Sequence, residues 1–286
     1  MTTTQRSPSR IVALALLAGA ALAGCQTVTG SPTTDLEDNQ LAASPANLAS
    51  LSGVVQNNPN DPQAYNMRGS VYGQAGRNDE ALADFNKAMS LDPNYAQAYG
   101  NRGLIYRKTG RLDLALADYD KALALDQSYA LAYLGRGIVH RLRKQPFEAF
   151  KDFNQAIAIR PDNAEAYYNR GLLYQIQKQH QFAIDDFSTA IGLRQNQAGP
   201  YIARGLSHMA VSDFKAAAAD LDDAVSAEPK NLQAWTARAF AYERLGDKEK
   251  AAGSYARALN LNKDHEAAKQ GFARVGGKMG QTYQTF

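Results

Sequence analysis

The chain has 286 residues, of which 45% are hydrophobic and 21% charged, and its formal net charge is +3. That balance excludes a disordered polyelectrolyte and leaves ample apolar material for a packed core. A single cysteine excludes any disulfide framework within one molecule.

The chain opens with a separate segment. Arg6 and Arg10 precede an apolar run from Ile11 to Ala23, in the order of a secretory signal. The run is too short to serve comfortably as a permanent membrane span. It ends in Leu22-Ala23-Gly24-Cys25, which resembles the lipobox of bacterial lipoproteins. The resemblance implies a signal peptide over 1–24, cleavage before Cys25, acyl chains on Cys25, and the lipid bilayer as a partner. A buried structural cysteine is the alternative. Several acyl chains hold a protein far more firmly than one. In the enterobacterial sorting pattern an Asp after the cysteine retains the protein in the inner membrane. Gln26 stands there instead, so the expected location is the bacterial outer membrane, lipid-anchored, on the periplasmic face.

Without the leader, 29 basic residues face 28 acidic ones, so the whole-chain pI of 8.8 overstates any attraction for nucleic acid, and none is expected as a partner. Residues 25–44 are rich in Thr, Ser, Asp and Pro without helical period, and read as a lipidated flexible tether. As a coil such a tether reaches roughly 25 Å.

From residue 62 the sequence repeats every 34 residues. Tyr65, Tyr99, Tyr133, Tyr167, Tyr201 and Trp235 keep that spacing, and each is followed by Arg-Gly or Arg-Ala, then small and bulky residues in fixed order. Six units follow without a gap: 62–95, 96–129, 130–163, 164–197, 198–231 and 232–265. Within a unit, two stretches of helical period such as Ala164–Gln177 and Gln181–Leu193 flank a short polar turn. Gly171, Ala183 and Ala190 let two helix axes approach, and Tyr167, Tyr174 and Phe187 fill the space beside them. Gly76, Gly110 and Gly246 stand where a first helix would end in a left-handed residue. Pro93, Pro161 and Pro229 stop second helices.

These positions resemble the tetratricopeptide repeat. Its signature residues appear in the first unit as Tyr65, Gly69, Tyr72, Ala81, Phe85, Ala88 and Pro93. The fold expected is therefore all-α: a right-handed α-solenoid of six repeats with a helical cap at each end. Residues 45–61 form the leading cap, with Leu48, Leu51, Val54 and Val55 on one face. Residues 266–286 form the trailing cap and a disordered tail, with Ala268, Phe272 and Val275 covering the sixth unit.

Position 7 of every unit is Arg, and position 23 is Asp in five. The antiparallel hairpin predicts a ladder pairing Arg68 with Asp84, Arg102 with Asp118, Arg136 with Asp152, Arg170 with Asp186, and Arg204 with Asp220. Ser254 takes the sixth slot and leaves Arg238 without that partner. An anion site built from the arginines is the alternative.

Chemistry is sparse. His140, His180, His208 and His265 lack second ligands at metal spacing, so no metal and no cofactor is expected. His140 and His208 replace aromatics and read as packing residues. Nucleophile-elbow, zinc-protease, phosphate-loop and dinucleotide motifs are absent, and the carboxylates do not converge, so an enzyme is not expected.

The resemblance implies a concave groove lined by first helices. Carried onto this chain, it places Leu134, Ile138 and Leu142, then Tyr168, Leu172 and Ile176, then Ile202, Leu206 and Met209 along the groove. An exposed apolar strip of that extent marks a binding surface, whereas packing within the array is the alternative for these residues. Arg107, Lys108 and Arg141 stand at its margin and could steer an acidic end of a partner. The carboxylate-capturing pattern of the co-chaperone branch is missing, its slots holding Asn66, Ser70, Asn101, Leu131 and Gly135.

The expected partners are cell-envelope proteins presenting an apolar or amphipathic segment; a homo-oligomer is also open. In general plan the chain resembles NlpI-type lipoproteins, which scaffold cell-wall hydrolases and a protease. An assembly factor or pilotin for an outer-membrane secretion or pilus machine is the second reading, and a direct peptidoglycan or glycan binder the third.

Overall fold

The computed structural model describes residues 44–278 and 280–283. The signal peptide, Cys25, and all of the tether except Ser44 lie outside the described residues. Fourteen helices and no strand occur among those described. A leading helix α1 (Pro45–Asn57) is followed by six hairpins: α2 (Pro62–Gln74) with α3 (Asn78–Leu91), α4 (Ala96–Lys108) with α5 (Leu112–Leu125), α6 (Ala130–Leu142) with α7 (Pro146–Ile159), α8 (Ala164–Ile176) with α9 (His180–Leu193), α10 (Ala198–Ala210) with α11 (Phe214–Ala227), and α12 (Leu232–Leu245) with α13 (Lys248–Leu261). The trailing helix α14 (Glu266–Arg274) closes the far end. No described helix is long and apolar enough to cross a membrane.

Local signals start and stop these helices. Pro62 opens α2 behind Asp61, whose side chain accepts from the Gln63 amide at 2.8 Å. Asn163 and Asn231 cap α8 and α12 in the same manner. The turns between paired helices need one left-handed residue. Gly76, Gly110 and Gly246 supply it in the first, second and sixth hairpins, with φ of 74°, 75° and 81°. In the middle three hairpins the residues are Lys144, Lys178 and Ser212, at φ of 58°, 60° and 64°, a conformation that costs an L-residue energy glycine does not spend.

Within each hairpin the two helices pack most closely on each other, and each second helix packs next on the first helix of the following hairpin. First helices also touch the first helices of neighbouring hairpins, while second helices do not touch one another at that level. The first helices therefore crowd the inside of a curve, and the array is an α-solenoid with a concave face made of α2, α4, α6, α8, α10 and α12. Close approach within a hairpin depends on glycine: a Cβ at Gly171 would lie 2.6 Å from Phe187 Cε1.

The arginines of position 7 knit the solenoid lengthwise. Arg68, Arg102, Arg136, Arg170 and Arg204 each grip the Asp sixteen residues ahead through two parallel bonds of 2.6–3.0 Å. From Arg102 onward Nη1 also reaches sixteen residues back into the preceding hairpin, to Asn86, Asp120, Asn154 and Ser188 in turn. Every guanidinium lies 5.5–6.0 Å over the aromatic at position 4 of its own helix. In the sixth hairpin Ser254 stands in the aspartate's slot, as expected, and accepts from Arg238 Nη1; Arg238 takes its carboxylate instead from the hairpin behind, Nε donating to Asp222 at 2.6 Å. His140 and His208 approach the ladder aspartates Asp152 and Asp220 at 3.9 and 3.8 Å.

The caps differ in strength. In α1 Val55 is buried, Leu48 and Leu51 are half-buried, and Val54 faces solvent rather than α2. At the other end Ala268 and Phe272 are buried, and Tyr283 turns back to meet Phe272 edge-on at 5.8 Å.

Candidate functional site

The concave face changes character along its length. Over the first two hairpins it is polar and internally bonded. Asn101 donates to Asn66 at 2.9 Å and to Ser70 at 3.3 Å, and Asn66 donates to the Tyr95 hydroxyl at 3.2 Å. Gly100 leaves room for the Tyr129 ring, whose phenol is pushed up to about 12 by burial.

The middle carries charge. Arg107 on α4 and Arg141 on α6 occupy the same repeat position in consecutive first helices, and both are half-buried. Their Nε atoms are buried without an acceptor. Burial holds Arg141 below the ordinary guanidinium range, with the nearby charge of Arg107 acting in the same direction. Beside them, burial raises the phenols of Tyr119 and Tyr168, and Arg107 and Arg141 respectively oppose that rise. Lys108 is exposed at the rim.

From the third hairpin onward the face turns apolar, though by a narrower set than the sequence suggests. Leu134 and Ile138 are only 5% and 4% exposed, because they pack in one core cluster with Phe153 of their own hairpin and with Ala166 and Leu173 of the next first helix. Ile202 is likewise buried, against the core of the last two hairpins. These three residues are packing residues, a correction to the expected groove lining. Tyr168 and Leu172 are half-buried against Phe187 and Ala203. Leu142 and Ile176, at the ends of their helices, are 49% and 69% exposed.

Leu206 and Met209 line an open, largely apolar pocket of about 580 Å³ between α10, α12 and α14, with Thr236, Ala237, Phe240, His265 and Arg274 among its other walls. Sequence reasoning stopped at the fifth unit and missed this far wall. The signal was present, since Phe240 stands one period after Leu206. The pocket rim is tied together by Glu243, which accepts from Arg274 Nε at 2.8 Å and from the Tyr255 hydroxyl at 2.6 Å. Among the described residues no three His, Cys, Asp or Glu side chains gather as a metal would require.

This geometry offers shape and graded polarity to a bound chain. Comparison with known proteins bears on what kind of array it is. A tetratricopeptide repeat model matches residues 96–129 and 164–197, a TPR repeat model matches residues 69–110 and 147–178, and a further tetratricopeptide repeat model matches residues 202–269. No curated protein sequence matches significantly. Among solved structures, a chain of the "APC/C hetero-tetramer Cut9-Hcn1" is similar with a TM-score of 0.72 at 18% identity, over 84% of this chain and 47% of that one. This chain thus spans about half the length of that neighbour. PilF of Pseudomonas aeruginosa is similar with a TM-score of 0.69 at 21% identity, over 74% of this chain and 97% of PilF. At these identities both likenesses speak to fold alone. YrrB, described as "a TPR protein with an unusual peptide-binding site", has a TM-score of 0.56 at 26% identity, over 65% of this chain and 96% of its own. With six helix pairs in a 34-residue period, their inward-facing first helices, and repeat models that match along most of the chain, the chain belongs to the tetratricopeptide repeat family.

Proposed function

We propose that the protein is a lipid-anchored adaptor of the bacterial cell envelope, which holds partner proteins by laying one of their segments along the concave groove. The observation that carries this reading is the open apolar pocket continuing the strip of Leu172, Leu206 and Met209. Apolar surface left open beside a fully formed core is the usual mark of a docking site. An amphipathic helix or extended segment fits a groove of this sort, and the likeness to YrrB at 26% identity supports a peptide as the ligand. Export and anchoring rest on the sequence alone: the signal-like leader and the Leu22–Cys25 lipobox.

A second reading makes the protein an assembly factor for a pilus or outer-membrane machine. It draws on the same lipobox and groove, and on a solenoid that matches nearly all of PilF.

The test is photo-crosslinking in the envelope from positions 209 and 233, which line the same pocket. Leu206→Glu combined with Phe240→Glu should abolish the crosslinked partner while circular dichroism stays unchanged; undiminished capture would sink the groove reading. Identification of the trapped protein as a cell-wall enzyme or a machine component separates the two readings.

A further inference from the structure

We propose that Arg107 and Arg141 form a carboxylate-binding site in the middle of the groove, and that the bound segment places an acidic side chain there with apolar side chains running on toward Met209 and Phe240. This inference rests on the adaptor reading and adds a charge and a direction to it.

The two arginines differ from the others built into the array. Arg68, Arg102, Arg136, Arg170, Arg204 and Arg238 all hold carboxylates. Among the described residues no carboxylate pairs with either Arg107 or Arg141, although both are half-buried. They stand on α4 and α6, first helices that pack directly on each other, at equivalent positions on the concave side. Two cations partly stripped of water and set within range of each other's charge form an unfavourable arrangement that one bridging anion relieves. Burial already depresses Arg141, and Arg107 depresses it further. The tyrosines beside them are neutral. Two carboxylates act on the neighbouring Tyr119: Glu165, which is exposed, and Asp118, which Arg102 already holds.

A guanidinium fork suits a carboxylate, whose two oxygens accept parallel N–H bonds. The direction follows from what lies on each side. Toward the first hairpin, Asn66, Ser70 and Asn101 are already bonded to one another. Toward the sixth, Leu172, Leu206, Met209 and Phe240 form the apolar strip. A segment anchored by an acidic side chain at the arginines therefore buries its apolar residues only by running in the second direction.

The test uses the mature chain with ¹⁵N-labelled arginine and benzoate as the probe, a carboxylate on an apolar ring. The Nε–H resonances of Arg107 and Arg141 should move and saturate while that of Arg170 stays still. The double variant Arg107→Lys/Arg141→Lys, which keeps both charges but loses the forks, should bind benzoate about tenfold more weakly. Unmoved resonances, equal binding by the lysine variant, or tighter saturation by inorganic phosphate would each overturn the assignment. In the envelope the lysine variant should also lower crosslinking at position 233. Undiminished crosslinking there, with Leu206→Glu/Phe240→Glu still abolishing it, overturns this inference and leaves the adaptor reading standing. Benzoate binding with no captured segment overturns the adaptor reading, and with it the acidic anchor of a bound segment.

Discussion

At the first rung of the ladder the Arg68 side chain is 18% exposed and holds a single carboxylate, whereas five repeats later Arg238 is 2% exposed and is bonded to Asp222 and Ser254 beneath Trp235 and Tyr242. The cores differ in the same sense. Around the first two hairpins, buried side chains form separate groups, Phe85 with Ile105 and Met89 with Ala98. Over the last two hairpins and α14 one continuous core runs from Ala198 to Phe272. The same template thus gives a loosely joined entrance and a firmly joined end. The open apolar pocket lies in the firm end, where its walls are held still, and a rigid site loses less entropy when it closes on a ligand.

Five measurements would break or sharpen this contrast. Phe272→Ala should cost about 3 kcal/mol by opening a cavity under α14, against roughly 1.5 kcal/mol for Val55→Ala in α1, both read from urea unfolding. Equal costs would mean the two caps are equivalent. Arg238→Ala should cost about 2–3 kcal/mol, because it empties a buried site and strands polar partners, while Arg68→Ala should cost about 1 kcal/mol. Hydrogen exchange gives the local form of this prediction, with α12 and α13 slowest and α1 and α2 fastest.

Acid should loosen the trailing cap selectively. The Arg274 guanidinium holds the Glu243 carboxyl below its usual range. A depressed carboxylate contributes stability that is present above the unfolded value of about 4.3 and is lost as pH falls through the folded one. Amide shifts of α14 should therefore drift below about pH 4. In Glu243→Gln that drift should vanish; an unchanged profile would remove this contact from the account. The smallest effect concerns the turns: Lys178→Gly should gain about 0.5–1 kcal/mol, since the strain of a left-handed lysine exceeds the added freedom of the unfolded glycine. A loss would show that the Lys178 side chain contributes more than its backbone strain costs.

Most of the fold was legible in the sequence because a strict period makes each residue testify six times. The expected pair 164–177 and 181–193 differs from the observed helices by a single residue at one end of each. The glycine turns could be read directly, but the lysine and serine turns could not, since nothing local marks Lys144, Lys178 or Ser212 as left-handed. Arg and Asp sixteen residues apart announce a contact within one hairpin. The return bond to the hairpin behind was hidden because its acceptor varies among Asn, Asp and Ser. In the groove, apolar character alone did not separate lining from packing. Leu134 and Ile138 share a core cluster with Ala166 and Leu173 of the next hairpin, and that cluster exists only once neighbouring hairpins are stacked. The state of Arg107 and Arg141 was also beyond a pattern argument, because it depends on which carboxylates fail to come near.

The two sixteen-residue reaches of each position-7 arginine bear on how such a chain can grow. Arg102 finds Asp118 ahead and Asn86 behind at the same separation, so one repeat carries half of each joint it needs. A duplicated 34-residue segment would arrive with its own forward acceptor and with an acceptor ready for its successor. Lengthening the array therefore calls for no new contact to be invented, which makes whole-repeat copying the natural currency of change in this protein, for evolution and for the engineer alike.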